Sequence, residues 1–262
     1  MQIFYELIIV LNMNFKNKNI IITGSEGFLG KSLVSFFNKA GANVYGLDIA
    51  GKIKSTIVCD ITNEDEVKKT FMNINSKGKV DILINNASIN PSIVKKKLKR
   101  YKFSDYNINI WKKNIEVDLV GSFLMAKHAL KVFEKYKKGT IINISSIYGL
   151  IGPDQSIYGQ NKKFYGYKPI EYSVAKSGLI GFTKALASYY KGTNIKILSL
   201  AFGGFENNTK KLFNKKYSLK TIANRMANKE EFINYVSFFA SDKSSYSNGS
   251  CVVIDGGLLS VA

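Results

Sequence analysis

The stretch Ile20-Ile-Ile-Thr-Gly-Ser-Glu-Gly-Phe-Leu-Gly30 constrains this chain more than any other. Its isoleucine triplet predicts a strand buried on both faces, and the glycines at 24, 27 and 30 predict a tight turn. The apolar-periodic run Phe28, Leu29, Leu33, Val34, Phe36, Phe37 then predicts a helix. A strand, glycine turn and helix in that order let backbone N–H groups and a helix N-terminus approach a pyrophosphate with no side chain in the way. The expected ligand is therefore a dinucleotide. A second strand, Asn43-Val-Tyr-Gly-Leu47, ends in Asp48, at the distance where a carboxylate can take both ribose hydroxyls of an adenosine. The same carboxylate would repel a 2′-phosphate, which favours NAD over NADP.

Strands and helices continue to alternate. Ser55–Cys59 reads as a short strand closed by Asp60-Ile-Thr-Asn63, and Asn63 or Thr62 can cap a helix over about Glu64 to Asn75. Its first turn holds Glu64, Asp65 and Glu66, as the helix dipole prefers. Val80–Ile84 delivers Asn85-Asn-Ala-Ser88, a long helix is expected from Trp111 to about Lys137, and Gly139–Ser146 forms a fifth strand ending in two hydroxyls. A helix over about Tyr172 to Tyr190, a sixth strand Ile195–Leu200, a helix over about Lys229 to Ala240 and a last strand leading into Asp255-Gly-Gly257 complete the pattern. This alternation predicts the α/β class, a single-domain Rossmann-like doubly wound parallel sheet with flanking helices and a ligand crevice at the carboxyl ends of the strands. Residues 14–262 are read as this domain, and 1–13 as an N-terminal extension, either an upstream start or a loosely attached arm.

At 262 residues and 45% hydrophobic content the chain can build one large core. No apolar run reaches about eighteen residues, so no membrane span is expected. The apolar opening lacks a basic flank and a small-residue cleavage site, which argues against a secretory signal. Cys59 and Cys251 fall in separate predicted strands and read as free thiols in a reducing cytoplasm. The formal charge of +19 comes from lysines spread over the chain, with dense clusters only at Lys95–Lys102 and around Lys210, Lys211, Lys215 and Lys216. Neither cluster sits in a nucleic-acid motif, so solvated faces are expected and no nucleic-acid partner. Near a site they would draw in NAD and an acidic substrate. Residues 89 to about 110 read as a long surface loop near the site mouth, and 147–171 as a substrate-pocket wall too polar to be core. A Lys/Asn-rich stretch after Gly204 reads as a mobile lid, and His128 as a packed histidine.

Tyr172 and Lys176 carry the chemistry. A phenol ordinarily titrates near 10 and is a poor base at neutral pH until a cation stabilises its phenolate. A lysine one helical turn away supplies that cation. Tyr172 would then exchange the substrate hydroxyl proton while the nicotinamide exchanges a hydride, with Ser146, or Ser145 in its place, holding the substrate oxygen.

Taken together, TGSEGFLG at 23–30, Asp48, Asp60-Ile-Thr62, NNAS at 85–88, INISS at 142–146, YSVAK at 172–176 and IDGG at 254–257 resemble the short-chain dehydrogenase/reductase family, from about Asn14 to Leu258. The resemblance implies catalytic roles for Tyr172, Lys176, Ser146 and Asp118. It implies cofactor contacts from Gly24, Ser25, Gly27, Phe28, Leu29, Gly30, Asp48 and Phe205, adenine contacts from Asp60 and Ile61, and ribose contacts from Asn86, Ala87, Tyr172 and Lys176. It also implies a homotetramer or homodimer packed through the helices at 111–137 and 172–190. The chain departs from the family pattern at several points. Its glycine spacing is GxxGxxG. Asp118-Leu-Val-Gly121 stands where the family carries NxxG, the asparagine that anchors a water in the proton relay, and there a carboxylate would favour a charged Lys176. Phe202-Gly203 replaces Pro-Gly, Asn207 stands where a threonine often meets the carboxamide, and an insertion separates Ser146 from Tyr172. With its Lys168–Lys176 segment, that insertion looks like bacterial oxidoreductases of flagellin or surface-glycan sugar biosynthesis. The resulting expectation is an NAD-dependent alcohol/ketone oxidoreductase acting on a small carbohydrate-like substrate. A 3-oxoacyl-carrier-protein reductase and an NAD-binding sensor or scaffold without turnover are the alternatives.

Overall fold

In the computed structural model, residues 13–89, 103–161, 164–165, 168–207 and 211–261 are described, without side chains over 159–165. β1 (Asn19–Thr23) is buried along its whole length. It pairs in parallel with β2 (Asn43–Asp48) on one side and β4 (Ile82–Asn85) on the other, and β3 (Ile57–Val58) extends the β2 side. Beyond β4 lies β5 (Lys138–Ser146). β6 (Gly159–Asn161) and β7 (Phe164–Tyr165) form a separate antiparallel hairpin, and β8 (Asn194–Phe202) and β9 (Cys251–Ile254) complete the main sheet. Its order is β3-β2-β1-β4-β5-β8-β9, with every pairing parallel. The Rossmann-like doubly wound sheet expected from the alternation is therefore present.

The isoleucine triplet feeds two cores, because successive strand residues point to opposite faces. Ile21 packs with Leu83, Ile141 and Ile197 beneath α2 (Glu64–Asn75), α4 (Ser122–Tyr136) and part of α5 (Ile170–Tyr189). Ile20 and Ile22 pack with Ile84, Ile142 and Leu200 beneath α1 (Phe28–Lys39) and α7 (Lys229–Ala240). Between α2 and α4 in the chain lies α3 (Ile108–Ile115), and α6 (Lys211–Ser218) follows β8. The α2 cap is Asn63, whose side chain accepts from Asp65 N and Glu66 N. His128 is buried beside Phe71, its Nε2 3.4 Å from Glu64 Oε1, and burial holds its imidazole below the usual range.

Four expectations need correction. The long helix begins at Ile108, capped by Asn107, and Glu116–Gly121 forms a π turn between α3 and α4 that apolar periodicity does not reveal. The surface loop is therefore shorter than expected, and its residues 90–102 lie outside the described residues. The segment after β5 is not all too polar for a core. Ile147, Ile157 and Tyr158 are buried with Tyr217, Met226 and Leu258 in a third, smaller cluster. Beyond 208–210, which lie outside the described residues, the stretch expected as a lid forms α6, anchored by buried Tyr217.

Gly30 sets how closely α1 can approach the turn before it. A Cβ there would lie 2.0 Å from the Gly24 carbonyl oxygen, a backbone atom fixed by β1. Gly30→Ala is expected to lower stability by about 2 kcal/mol or more, read from urea unfolding. Gly152→Ala, with nothing within 4 Å of the added carbon, is expected to leave it unchanged.

Candidate active site

A cavity of about 940 Å³ opens along the carboxyl ends of β1, β2, β4, β5 and β8. The reversal of winding direction between β1 and β4 opens such a crevice in a doubly wound sheet. One end is the cradle expected for a dinucleotide. Gly24 turns with φ +64, and a Cβ there would sit 2.8 Å from the Cα of Ala87, so only glycine lets the two loops meet. Gly27 precedes α1 without a side-chain cap, and Gly27, Phe28 and Leu29 line the cavity, so the helix begins at the cavity wall. Asp48 lines the same end, its Oδ2 accepting from Glu26 N and its Oδ1 from Ala50 N, each at 3.0 Å. These features fit a pyrophosphate and an adenosine ribose.

Of the residues expected to touch a cofactor, Gly24, Gly27, Phe28, Leu29, Asp48, Asp60, Ile61, Asn86, Ala87 and Phe205 line the cavity, as do Tyr172 and Lys176. Ser25 and Gly30 do not. Ser25 is buried against Gly46, and Gly30 packs behind the turn. Asn86 has a structural task as well, donating from Nδ2 to Thr23 O at 2.9 Å and Gly24 O at 3.2 Å. Thr23 Oγ1 in turn accepts from the N–H groups of Asn86 and Ala87, so the loop after β4 is pinned onto the glycine turn.

At the other end, α5 presents Tyr172 and Lys176 to the cavity. The Lys176 ammonium is buried, donates to Ile144 O at 3.0 Å, and lies 3.2 Å from Asp118 Oδ2 and 5.6 Å from the Tyr172 ring centroid. Asp118 is fully buried against Lys176 and does not line the cavity, so its carboxylate meets the lysine and not the cavity. Its carboxylate also accepts from Ser88 Oγ at 2.5 Å and Ile89 N at 2.8 Å. The π turn places it there: Gly121 lets the turn lie against Ile61, whose side chain would be 2.7 Å from an added Cβ.

The two serines at the end of β5 divide their tasks. Ser145 Oγ donates to Lys176 O at 3.0 Å and so braces α5, whereas Ser146 Oγ accepts from Tyr148 N at 3.2 Å. Both line the cavity, with Ser146 the better placed to hold a substrate oxygen. The insertion adds Tyr148 and Tyr158, which share a 2.9 Å hydroxyl contact. Burial pushes Tyr148 up to about 12 and Tyr158 higher still, so both remain neutral hydrogen-bonding groups. The sequence reading also passed over Lys168, buried against the ring of Tyr172, and Glu171, fully buried and bonded by Tyr106 and Asn114. The signal available for both was their proximity in the chain to Tyr172.

A family profile described as enoyl-(acyl carrier protein) reductase matches residues 29–259. A 3-oxoacyl-(acyl-carrier-protein) reductase of Thermotoga maritima is 31% identical over 94% of this chain and 100% of its own length. Another of that name, from Aquifex aeolicus, is 30% identical over 91% of this chain and 86% of its own. Among solved structures, a short-chain dehydrogenase from Leptospira borgpetersenii with bound NAD+ is 31% identical, with a TM-score of 0.81 and 94% of each chain covered. No helix among the described residues is long and apolar enough to cross a membrane. The chain belongs to the short-chain dehydrogenase/reductase family and is an oxidoreductase acting on CH–OH groups.

Proposed function

We propose that this protein is an NAD-dependent oxidoreductase that interconverts a secondary alcohol and a ketone on a carbohydrate-like substrate such as a sugar, sugar phosphate or nucleotide sugar. The observation that carries the reading is the pairing of Tyr172 with Lys176 on the cavity wall, the lysine fixed between Ile144 O and Asp118. Bound NAD supplies the hydride acceptor for the alcohol and, once reduced, the donor for the ketone. Tyr172 takes the hydroxyl proton in one direction and returns it in the other. Lys176 holds positive charge near the phenol, and Ser146 donates to the substrate oxygen. Asp48 favours NAD, and Glu26 beside it adds a second negative charge: the Ile53 N–H keeps the Glu26 carboxyl below the usual range.

Support for a carbohydrate-like substrate comes from the polar groups at the reactive end, Ser146, Tyr148, Tyr158 and Asn207, and from Lys112 and Lys113, which line the cavity and would attract an acidic one. A place in flagellin or surface-glycan sugar biosynthesis and a cytoplasmic location are in keeping with this reading. The names of the Thermotoga and Aquifex relatives favour a second, reduction of a 3-oxoacyl carrier protein. Copies of the chain would pack through α4 and α5 into a dimer or tetramer, where Phe123, Phe182, Leu186 and Tyr190 line a shallow hollow. Light scattering of the purified chain is expected to give a multiple of 29.3 kDa.

Assays of sugar phosphates and nucleotide sugars with NAD, and of acetoacetyl-coenzyme A with NADH and NADPH, separate the two substrate classes. Turnover of the thioester alone would sink the carbohydrate reading. Tyr172→Phe is expected to lower kcat by at least about a hundredfold with little change in NADH affinity, and an unchanged rate would remove Tyr172 as the proton carrier and leave a cofactor-binding protein. Asp118→Ala leaves a buried lysine without its partner and is expected to cost about 3 kcal/mol in urea unfolding. Asp118→Asn keeps acceptors for Ser88 and Ile89 and is expected to cost less.

A further inference from the structure

Lys168 is 5% exposed, lines the cavity, and sets its Nζ 3.4 Å from the centroid of the Tyr172 ring. Its position is built from the backbone. The proline at 169 disfavours a helical conformation at 168, and α5 begins only at Ile170, after Pro169 in an extended conformation. Gln155 grips it on both sides: Lys168 N donates to Gln155 Oε1 at 2.8 Å, and Gln155 Nε2 donates to Lys168 O at 3.1 Å. The side chain can therefore be exchanged without removing the contacts that place the backbone.

The charges around it show what the ammonium offers. Lys176 faces Tyr172 along the helix, its Nζ 5.6 Å from the ring centroid, but the Asp118 carboxylate lies 3.2 Å from that Nζ. A carboxylate that close offsets much of the positive potential that Lys176 projects onto the phenol. An asparagine at 118 would not. Glu171 is also buried nearby, bonded by Tyr106 and Asn114, while Tyr148 and Tyr158 are neutral. Burial first, and the Lys176 charge second, bring the Lys168 ammonium down to about 7, with Asp118 and Glu171 opposing. Ionisation of the adjacent phenol would place a further negative charge directly under this ammonium. Cation–π attraction also grows when the ring carries delocalised negative charge.

We propose that Lys168 is a second cation of the proton-transfer site, a positioning residue that stabilises the Tyr172 phenolate through the ring face and offsets the carboxylate at 118. This rests on Tyr172 as the proton carrier and goes beyond it by assigning a role to a residue outside the Tyr172, Lys176, Ser146 and Asp118 set.

Titration of tyrosinate absorbance in the near ultraviolet tests it without knowledge of the substrate. The difference between the native chain and Tyr172→Phe isolates the Tyr172 signal, and NADH fluorescence checks that each variant is folded. In Lys168→Met that signal is expected to move to higher pH by about one unit or more. Lys168→Arg is expected to titrate close to the native chain, and Asp118→Asn combined with Lys168→Met to move back toward it. A Lys168→Met variant that binds NADH normally and titrates at the native pH overturns the proposal while leaving Tyr172 in its role. So does a double variant no closer to the native chain than the single one. Turnover unchanged in Tyr172→Phe overturns the proton-carrier reading itself, and this inference with it. Should the Met variant fail to fold, Lys168→Gln takes its place with the same expected shift.

Discussion

The buried pair of Asp118 and Lys176 is the interaction on which the arrangement of the reactive site depends. Removing either charge from water costs several kcal/mol, and Coulomb attraction repays that only when the remaining hydrogen-bonding capacity is met. Here it is met from several elements. Lys176 on α5 reaches Ile144 O on β5, and Asp118 on the π turn accepts from Ser88 and Ile89 after β4. The pair consequently fixes three parts of the sheet rim relative to one another.

The polar layer beneath that pair extends the same logic. Asn85 donates to Asn143 Oδ1 at 2.8 Å, and Asn143 donates to Thr183 Oγ1 at 2.9 Å, joining β4, β5 and α5 below the site. Each of these residues is buried, so each bond also satisfies a group that would otherwise be costly to desolvate. Gly149 completes the fit, since a Cβ there would lie 2.7 Å from the backbone carbon of Lys176. The chain leaving β5 can therefore run directly against α5, and the phenol and the serine hydroxyls share one cavity.

Substituting aspartate for the asparagine expected at 118 changes the electrostatics of the site without dismantling it. A neutral amide would leave Lys176 as the dominant charge near Tyr172. The carboxylate ties that lysine down and mutes it, which gives the position of Lys168 over the phenol ring its significance.

Features governed by neighbours in the chain were legible in the sequence. The isoleucine triplet, the glycine turn, the Asn63 cap and the one-turn spacing of Tyr172 and Lys176 all express local periodicity or local hydrogen bonding. So does the alternation that dictates a parallel sheet, because parallel neighbours require a crossover. Tertiary structure alone decided the rest. The π turn, the burial of Ile157 and Tyr158, and the withdrawal of Ser25 from the cavity wall depend on surfaces supplied from distant parts of the chain. Lys168 and Lys176 are two lysines of similar intrinsic chemistry. Lys176 meets Asp118 at 3.2 Å and Lys168 stands 3.4 Å over the Tyr172 ring, positions set by packing the π turn against a helix more than fifty residues further along the sequence.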